Sequence, residues 1–216
     1  MPDSSYILLS TAYLPPVQYI TKFLMGTPVF IEGHENYQKQ SYRNRCYIYG
    51  ANGRQCLVIP VKKHHGEKTP IGEVEIEYAE NWQKIHLKSL ESAYHLSPFY
   101  EYYADEFMRF YRQKTQYLLT WNTELLNTLM GELGIISRAE FSVTYDPFPL
   151  HTLDYRQCIH PKERLARPDP AFIQVSYQQV FLERYGFIPN LSIIDLLFNE
   201  GPMAGEVLKR SVGSKE

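Results

Sequence analysis

The chain has 216 residues, 44% hydrophobic and 21% charged, with a formal net charge of -2. That balance excludes a wholly disordered polymer and supplies a core that needs no disulfide or metal staple. It also argues against a broad electrostatic grip on nucleic acid or anionic lipid, and no apolar run of about 20 residues offers a membrane-spanning helix.

Tyr6 to Ala12 is an apolar, β-compatible run that stops at Tyr13-Leu14-Pro15-Pro16, because proline cannot donate to a sheet ladder and restricts its neighbour. Val17, Ile20, Phe23 and Leu24 then recur at helical spacing, Pro16 suits a first turn, and Gly26 ends the helix before a second buried strand, Pro28 to Glu32. This order predicts a parallel strand–helix–strand start. Arg45 to Tyr49 and Gln55 to Val61 follow as a hairpin across Asn52-Gly53, and Glu73 to Tyr78 alternates as a one-sided strand.

From Asn81 the period turns helical. Asn81 caps a helix holding Trp82, Leu90 and Ala93, Ser97-Pro98 opens a second, and Thr120 precedes a third with Leu125, Leu126 and Leu129. Arg138 to Pro170 is proline-rich and reads as short strands and ordered loop, a candidate cover for a site. Tyr177 to Phe181 reads as the start of a helix, and Ser192-Ile193-Ile194-Asp195 as a capping box before a helix ended by Gly201-Pro202. The fold class expected is α/β: a single mixed sheet with a parallel start, an internal antiparallel hairpin and a helical second half. One domain over residues 1–210 and a flexible tail over 211–216 are expected.

The three cysteines, Cys46, Cys56 and Cys158, lack metal or redox spacing, and an odd count suits free thiols, although Cys46 and Cys56 flank the hairpin closely enough to raise a bridge. The opening residues carry no basic segment ahead of an apolar one, so a cytoplasmic location is expected. His64-His65 beside Lys62-Lys63 read as surface loop rather than metal ligands, since adjacent strand residues face opposite ways. No GxGxxG, Walker A, HExxH or GxSxG motif occurs.

The polar stretch Tyr37 to Arg45 admits two readings. As an anion site, Arg43 and Arg45 offer planar forks for phosphate, Lys39 adds a point charge, and Tyr37 and Tyr42 offer stacking faces. As a solvated crossover, the same arginines cover carboxylates and carbonyls. Eighteen tyrosines suit polyol or peptide ligands but equally suit half-buried packing with a wet hydroxyl. Arg156, His160, Lys162 and Arg164 form a basic run read as a solvated face.

The order of motifs is more specific. Tyr13-Leu14-Pro15-Pro16-Val17-Gln18-Tyr19, Phe30-Ile31-Glu32, Tyr37-Gln38-Lys39 and Ser41-Tyr42-Arg43-Asn44-Arg45 resemble the opening of the WbqC-like family. So do Leu57 through Lys62, Trp82 through His86, Tyr94 with Ser97-Pro98-Phe99-Tyr100, and the closing run from Phe187 to Pro202. The resemblance implies a bacterial protein, associated in some members with surface-polysaccharide gene clusters, and no generally established reaction.

Taken together these residues suggest a transferase using an activated, phosphate-bearing donor of nucleotide type in surface-polysaccharide or related precursor synthesis. The alternative is a non-catalytic binding module for a small molecule or protein. In the first reading His86 or Glu32 accepts the proton and Tyr13 lines the first strand–helix turn. Gln18, Tyr37, Lys39, Arg43, Asn44, Arg45, Lys62 and Tyr94 would bind the donor. No metal or cofactor is implied. The partner expected is a small anionic donor, with neither nucleic acid nor membrane, and a homodimer is left open.

Overall fold

A computed structural model describes residues 6–62, 68–136 and 140–213. Strand β1 (Tyr6–Ser10), helix α1 (Val17–Thr21) and strand β2 (Val29–Glu32) form the parallel unit anticipated from the prolines and apolar runs. The register pairs Ile7 with Val29 and Ser10 with Glu32, so both strands end level with one another. Two very short strands complete the sheet: β5 (Glu140–Phe141) beside β2 and β6 (Thr152–Asp154) beside β1, all parallel, in the order β5-β2-β1-β6. The chain therefore builds outward from β1 in one direction and returns to β1's other side only at β6. That reversal is a topological switch point, where open α/β sheets leave a crevice at the carboxyl ends of their strands.

The hairpin, β3 (Arg45–Gly50) with β4 (Gly53–Val58), forms a two-stranded sheet of its own. Gly50 pairs with Gly53 around a two-residue turn in which Gly53, at φ +93°, takes the left-handed conformation. Cys46 pairs with Leu57 and Cys56 with Tyr47, and all three cysteines are free. The α/β class with a parallel start, a hairpin and a helical second half is what the structure shows, but the single mixed sheet expected is two sheets, one all parallel and one antiparallel, because the hairpin pairs only with itself. Of the strand expected from Glu73 to Tyr78, Glu73 ends a 3-10 turn (Ile71–Glu73); the residues after it bury Val74 and Ile76 but make only single bridges, Glu75 to Tyr117 and Ile76 to Val61.

Helices α2 (Trp82–Tyr94), α3 (Tyr100–Met108) and α4 (Leu118–Glu132) pack with α6 (Ile193–Glu200) and α7 (Ala204–Arg210) around one apolar core. The Asn81 side chain caps α2 by accepting from the Lys84 amide at 3.3 Å. Helix α4 begins at Leu118, two residues before Thr120, and α5 is Leu182–Tyr185, after the run in which a helix was expected. Ser192 Oγ accepts from the Ile194 amide at the start of α6, but Asp195 does not close a capping box. Its carboxylate turns inward and accepts from the Tyr177 hydroxyl at 2.7 Å and Gln179 Nε2 at 2.9 Å. Near the chain end Ser211 is buried and the Gly213 amide donates to the Ala171 carbonyl, so the fold holds the chain as far as Gly213. His64 and His65, and residues 214–216 of the expected tail, lie outside the described residues. Among the described residues no helix is long and apolar enough to cross a membrane.

Candidate active site

The carboxyl ends of three neighbouring strands meet as a network of charges. β1 ends in Ser10, β2 in Glu32 and β6 in Asp154; the loops beyond them bring Glu35, Arg43 and Arg156 over the sheet. Arg43 donates Nε to Glu35 Oε1 at 2.8 Å, and Nη2 to Glu35 Oε2 at 2.5 Å and to Ser10 Oγ at 2.6 Å. Arg156 donates Nε and Nη2 to Asp154 at 3.0 and 2.7 Å and reaches Glu32 Oε2 with Nη1 at 3.3 Å. Glu32 also accepts from the His34 amide at 2.8 Å and Ser142 Oγ at 2.7 Å. Burial works against the Arg156 cation, but the hydrogen bond and charge of Asp154, followed by Glu32, keep its pKa raised.

Beside this network lies a cleft of about 280 Å³ lined by Glu35, Tyr37, Lys68, Tyr145, Asp154 and Arg156 among others. Asp154 is its accessible carboxylate: its side chain is 32% exposed, whereas those of Glu32 and Glu35 are at 0% and 5%. Tyr145 lies under the Arg156 guanidinium, 5.4 Å from its ring centre. The Tyr37 phenol is pushed up to about 12 by burial, against the lowering charges of Arg45 and Arg43. The arrangement pairs a cation and an accessible carboxylate with two aromatic walls, chemistry suited to a polar ligand carrying hydroxyl groups and negative charge. From α4, Asn122 Nδ2 donates to the Arg43 carbonyl at 2.8 Å and Thr11 Oγ1 at 3.2 Å, fixing the two loops that frame the network.

Of the residues singled out in the sequence, Glu32, Tyr37 and Arg43 sit at this edge. Glu32 is buried beneath three donors, His34, Ser142 and Arg156, and is placed to orient Arg156 rather than to accept a substrate proton. Arg43 is spent on Glu35 and Ser10. Lys39 is exposed and does not line the cleft. Arg45 begins β3, half-buried.

The structure does not bring the other residues to the edge. His86 and Tyr13 form a closed core cluster: the Tyr13 hydroxyl lies 2.9 Å from His86 Nδ1 and 2.5 Å from the Tyr111 hydroxyl, beneath Trp82. Burial pushes the His86 imidazole down to about 4, against the raising effect of a hydrogen bond to the Val58 backbone. His86, 3% exposed, and Tyr13, fully buried, for which catalytic roles were expected, thus lie in the aromatic core and not at the cleft. Tyr94 is fully buried and its hydroxyl accepts from the Tyr49 amide at 3.1 Å. Asn44 donates to the Ile59 carbonyl at 2.8 Å. Lys62 pairs at the surface with Glu75 at 2.6 Å. Gln18 donates Nε2 to Asp169 at 2.7 Å and accepts from Asn190, beside a buried Lys22–Asp169 ion pair of 2.6 Å, and so ties α1 to the later loops.

Asp154 and Arg156 are the residues that sequence reasoning missed. The signal available was the irregular stretch from Arg138 to Pro170, a candidate cover that in the structure supplies β6, Tyr145 and Arg156 to the cleft wall.

The WbqC-like protein family model matches residues 11–160, from the end of β1 through Arg156, and the chain is a member of that family. It is 25% identical over 223 residues to the uncharacterized protein Rv1507c of Mycobacterium tuberculosis (strain ATCC 25618 / H37Rv), an alignment covering 94% of this chain and 96% of that protein. No solved structure matches the chain.

Proposed function

We propose that the protein is a group-transfer enzyme that takes an activated, phosphate-bearing donor of nucleotide type at the carboxyl edge of its parallel sheet. The observation that supports this is the cleft at the β1/β6 switch point, where Asp154 and Arg156 face Tyr37 and Tyr145. In this reading Asp154, the accessible carboxylate, accepts the proton of the attacking group, Arg156 holds negative charge, and the tyrosines sandwich a ring of the donor. Glu32 keeps Arg156 in place. The use of the product in surface-polysaccharide or related precursor synthesis rests on the family resemblance alone.

A thermal-shift screen against nucleotides, nucleotide sugars and acyl-CoA, followed by product analysis, tests the reading. A donor at a hundredfold excess over its Kd stabilises the fold by about 2.7 kcal/mol. The expected result is a rise with one class of donor and turnover that falls at least 100-fold in Asp154→Asn while the donor still binds. Binding without turnover in the unaltered chain, under every acceptor tried, would favour the second reading, a binding module. That alternative draws support from the full pairing of Arg43 and Glu32, which leaves them little freedom for chemistry.

A further inference from the structure

A second hollow, of about 440 Å³, opens in the helical half of the chain and shares no lining residue with the cleft at the sheet edge. One wall is a face of α4, where Glu124, Asn127 and Thr128 stand three and four residues apart and so project together. The other is the corner beyond α3: Arg109 caps that helix, Phe110 opens a 3-10 turn (Phe110–Arg112), and Gln113 ends it. Thr115 completes the lining. Contacts outside the hollow fix these walls. Phe110 meets Trp121 of α4 edge to face with ring centres 6.1 Å apart, and the Gln113 carbonyl accepts from Gln83 Nε2. The Tyr78 hydroxyl donates to the Thr115 carbonyl at 2.9 Å and accepts from its amide at 3.0 Å.

The charges in this hollow are not satisfied by one another. Helix α4 carries no lysine or arginine, so Glu124 has no cation one turn away on its own helix, and it joins no ion pair among the described residues. Arg109 lies over the Phe110 ring, 5.4 Å from its centre, and its ion pair is with Glu106, one turn back, at 3.3 Å. Both side chains of that pair are about half exposed, at 56% and 48%, and a solvated pair of this kind holds its partners only weakly. Arg109 is therefore free to turn to a better acceptor.

A guanidinium and a carboxylate that line one cavity without meeting call for a ligand with the opposite pair of charges. The planar fork of Arg109 suits a carboxylate, and Glu124 suits an ammonium. Gln113, Thr115, Asn127 and Thr128 add amide and hydroxyl groups, and the Phe110 ring adds an apolar face. Glu124 repels a phosphate there, and Arg109 repels a bare cation.

We propose that this hollow binds a zwitterion of the amino-acid class, a free amino acid or a dipeptide, with Arg109 on its carboxylate and Glu124 on its ammonium. The site is independent of the transferase reading and stands or falls without it.

The test is calorimetric titration of the full chain with the standard L-amino acids and with glycyl dipeptides. Each is compared with its N-acetyl and carboxamide derivatives, which delete one charge at a time. The expected result is saturable binding that weakens at least about tenfold when either charge is deleted, the loss of one hydrogen bond to a charged group. Glu124→Gln and Arg109→Gln should each weaken the intact ligand by a similar factor. The losses should also be paired: Glu124→Gln no longer distinguishes the N-acetyl derivative from its parent, and Arg109→Gln no longer distinguishes the carboxamide. Both residues are exposed, so the variants should melt as the original chain does. The tighter of the two series tells an amino acid from a dipeptide. Absence of binding in both series, or binding that either Gln variant leaves unchanged, overturns the proposal.

Discussion

Arg43 gives two nitrogens of its guanidinium to the carboxylate of Glu35, at 2.8 and 2.5 Å, in a pair whose side chains are 3% and 5% exposed. Such a fork-on-fork contact is strong because both partners are desolvated together, and it is fragile for the same reason. It closes the connection between β2 and β3 on itself, and Ser10 at the end of β1 completes it.

Breaking this pair from one side leaves a buried charge. Glu35→Ala is expected to cost about 3 to 5 kcal/mol, a fall in melting temperature of roughly 6 to 20 °C for a chain of this size. Replacing both partners by apolar residues, as in Arg43→Met with Glu35→Leu, should recover most of that loss. Denaturant melts of the two single variants and the double variant measure it; a double variant as unstable as the sum of the singles would show that the pair is not a closed unit.

His86 makes the fold sensitive to acid. Its folded pKa, about 4, is depressed below the ordinary 6.5 because burial penalises the cation. The stability this contributes is complete above pH 6.5 and is lost as pH falls towards 4, to the extent of about 3 kcal/mol. A neutral replacement, His86→Gln, should be less stable at pH 7.5 yet lose less between pH 6.5 and 4 than the original chain. Parallel pH-dependent melts check this, and slopes of equal size in the two proteins would refute a neutral buried imidazole.

Asp195 titrates over nearly the same interval with the opposite sign. Burial raises its pKa from 3.8 to about 6, against the lowering hydrogen bonds of Tyr177, Gln179 and Tyr94. A raised folded pKa means stability that is fully present below about pH 4 and is lost as pH rises through 6, again about 3 kcal/mol. The two groups therefore offset one another between pH 4 and 6. Asp195→Asn removes the opposing contribution and should expose a steeper acid loss than the original chain shows; an unchanged pH profile would mean that Asp195 is ionised throughout.

The parallel start and the hairpin were legible because each is bounded locally, by Pro15-Pro16, Gly26 and Asn52-Gly53 around short apolar runs. β5 and β6 were not, since strands of two and three residues carry no period and exist through pairing with β2 and β1. The same division governs the site. Glu32, Tyr37 and Arg43 stood out as polar residues at the end of an apolar strand and in the crossover beyond it. Arg156 was hidden in a run of basic residues that looks like any solvated face, because the more deeply buried of its two carboxylate partners, Glu32, lies 124 positions upstream. His86 misled in the opposite direction: with Trp82, Leu90 and Ala93 it makes one buried helical stripe, and its place in that stripe marks it as core.

The late arrival of β6 also carries a cost in time. Glu32 leaves the ribosome 124 residues before the arginine that neutralises it, an interval of roughly 6 to 25 s at ordinary rates of synthesis. The carboxyl edge is thus completed only once residue 156 has been made, and a chain stalled before it would display a sheet with an open flank and a Glu32 without its arginine.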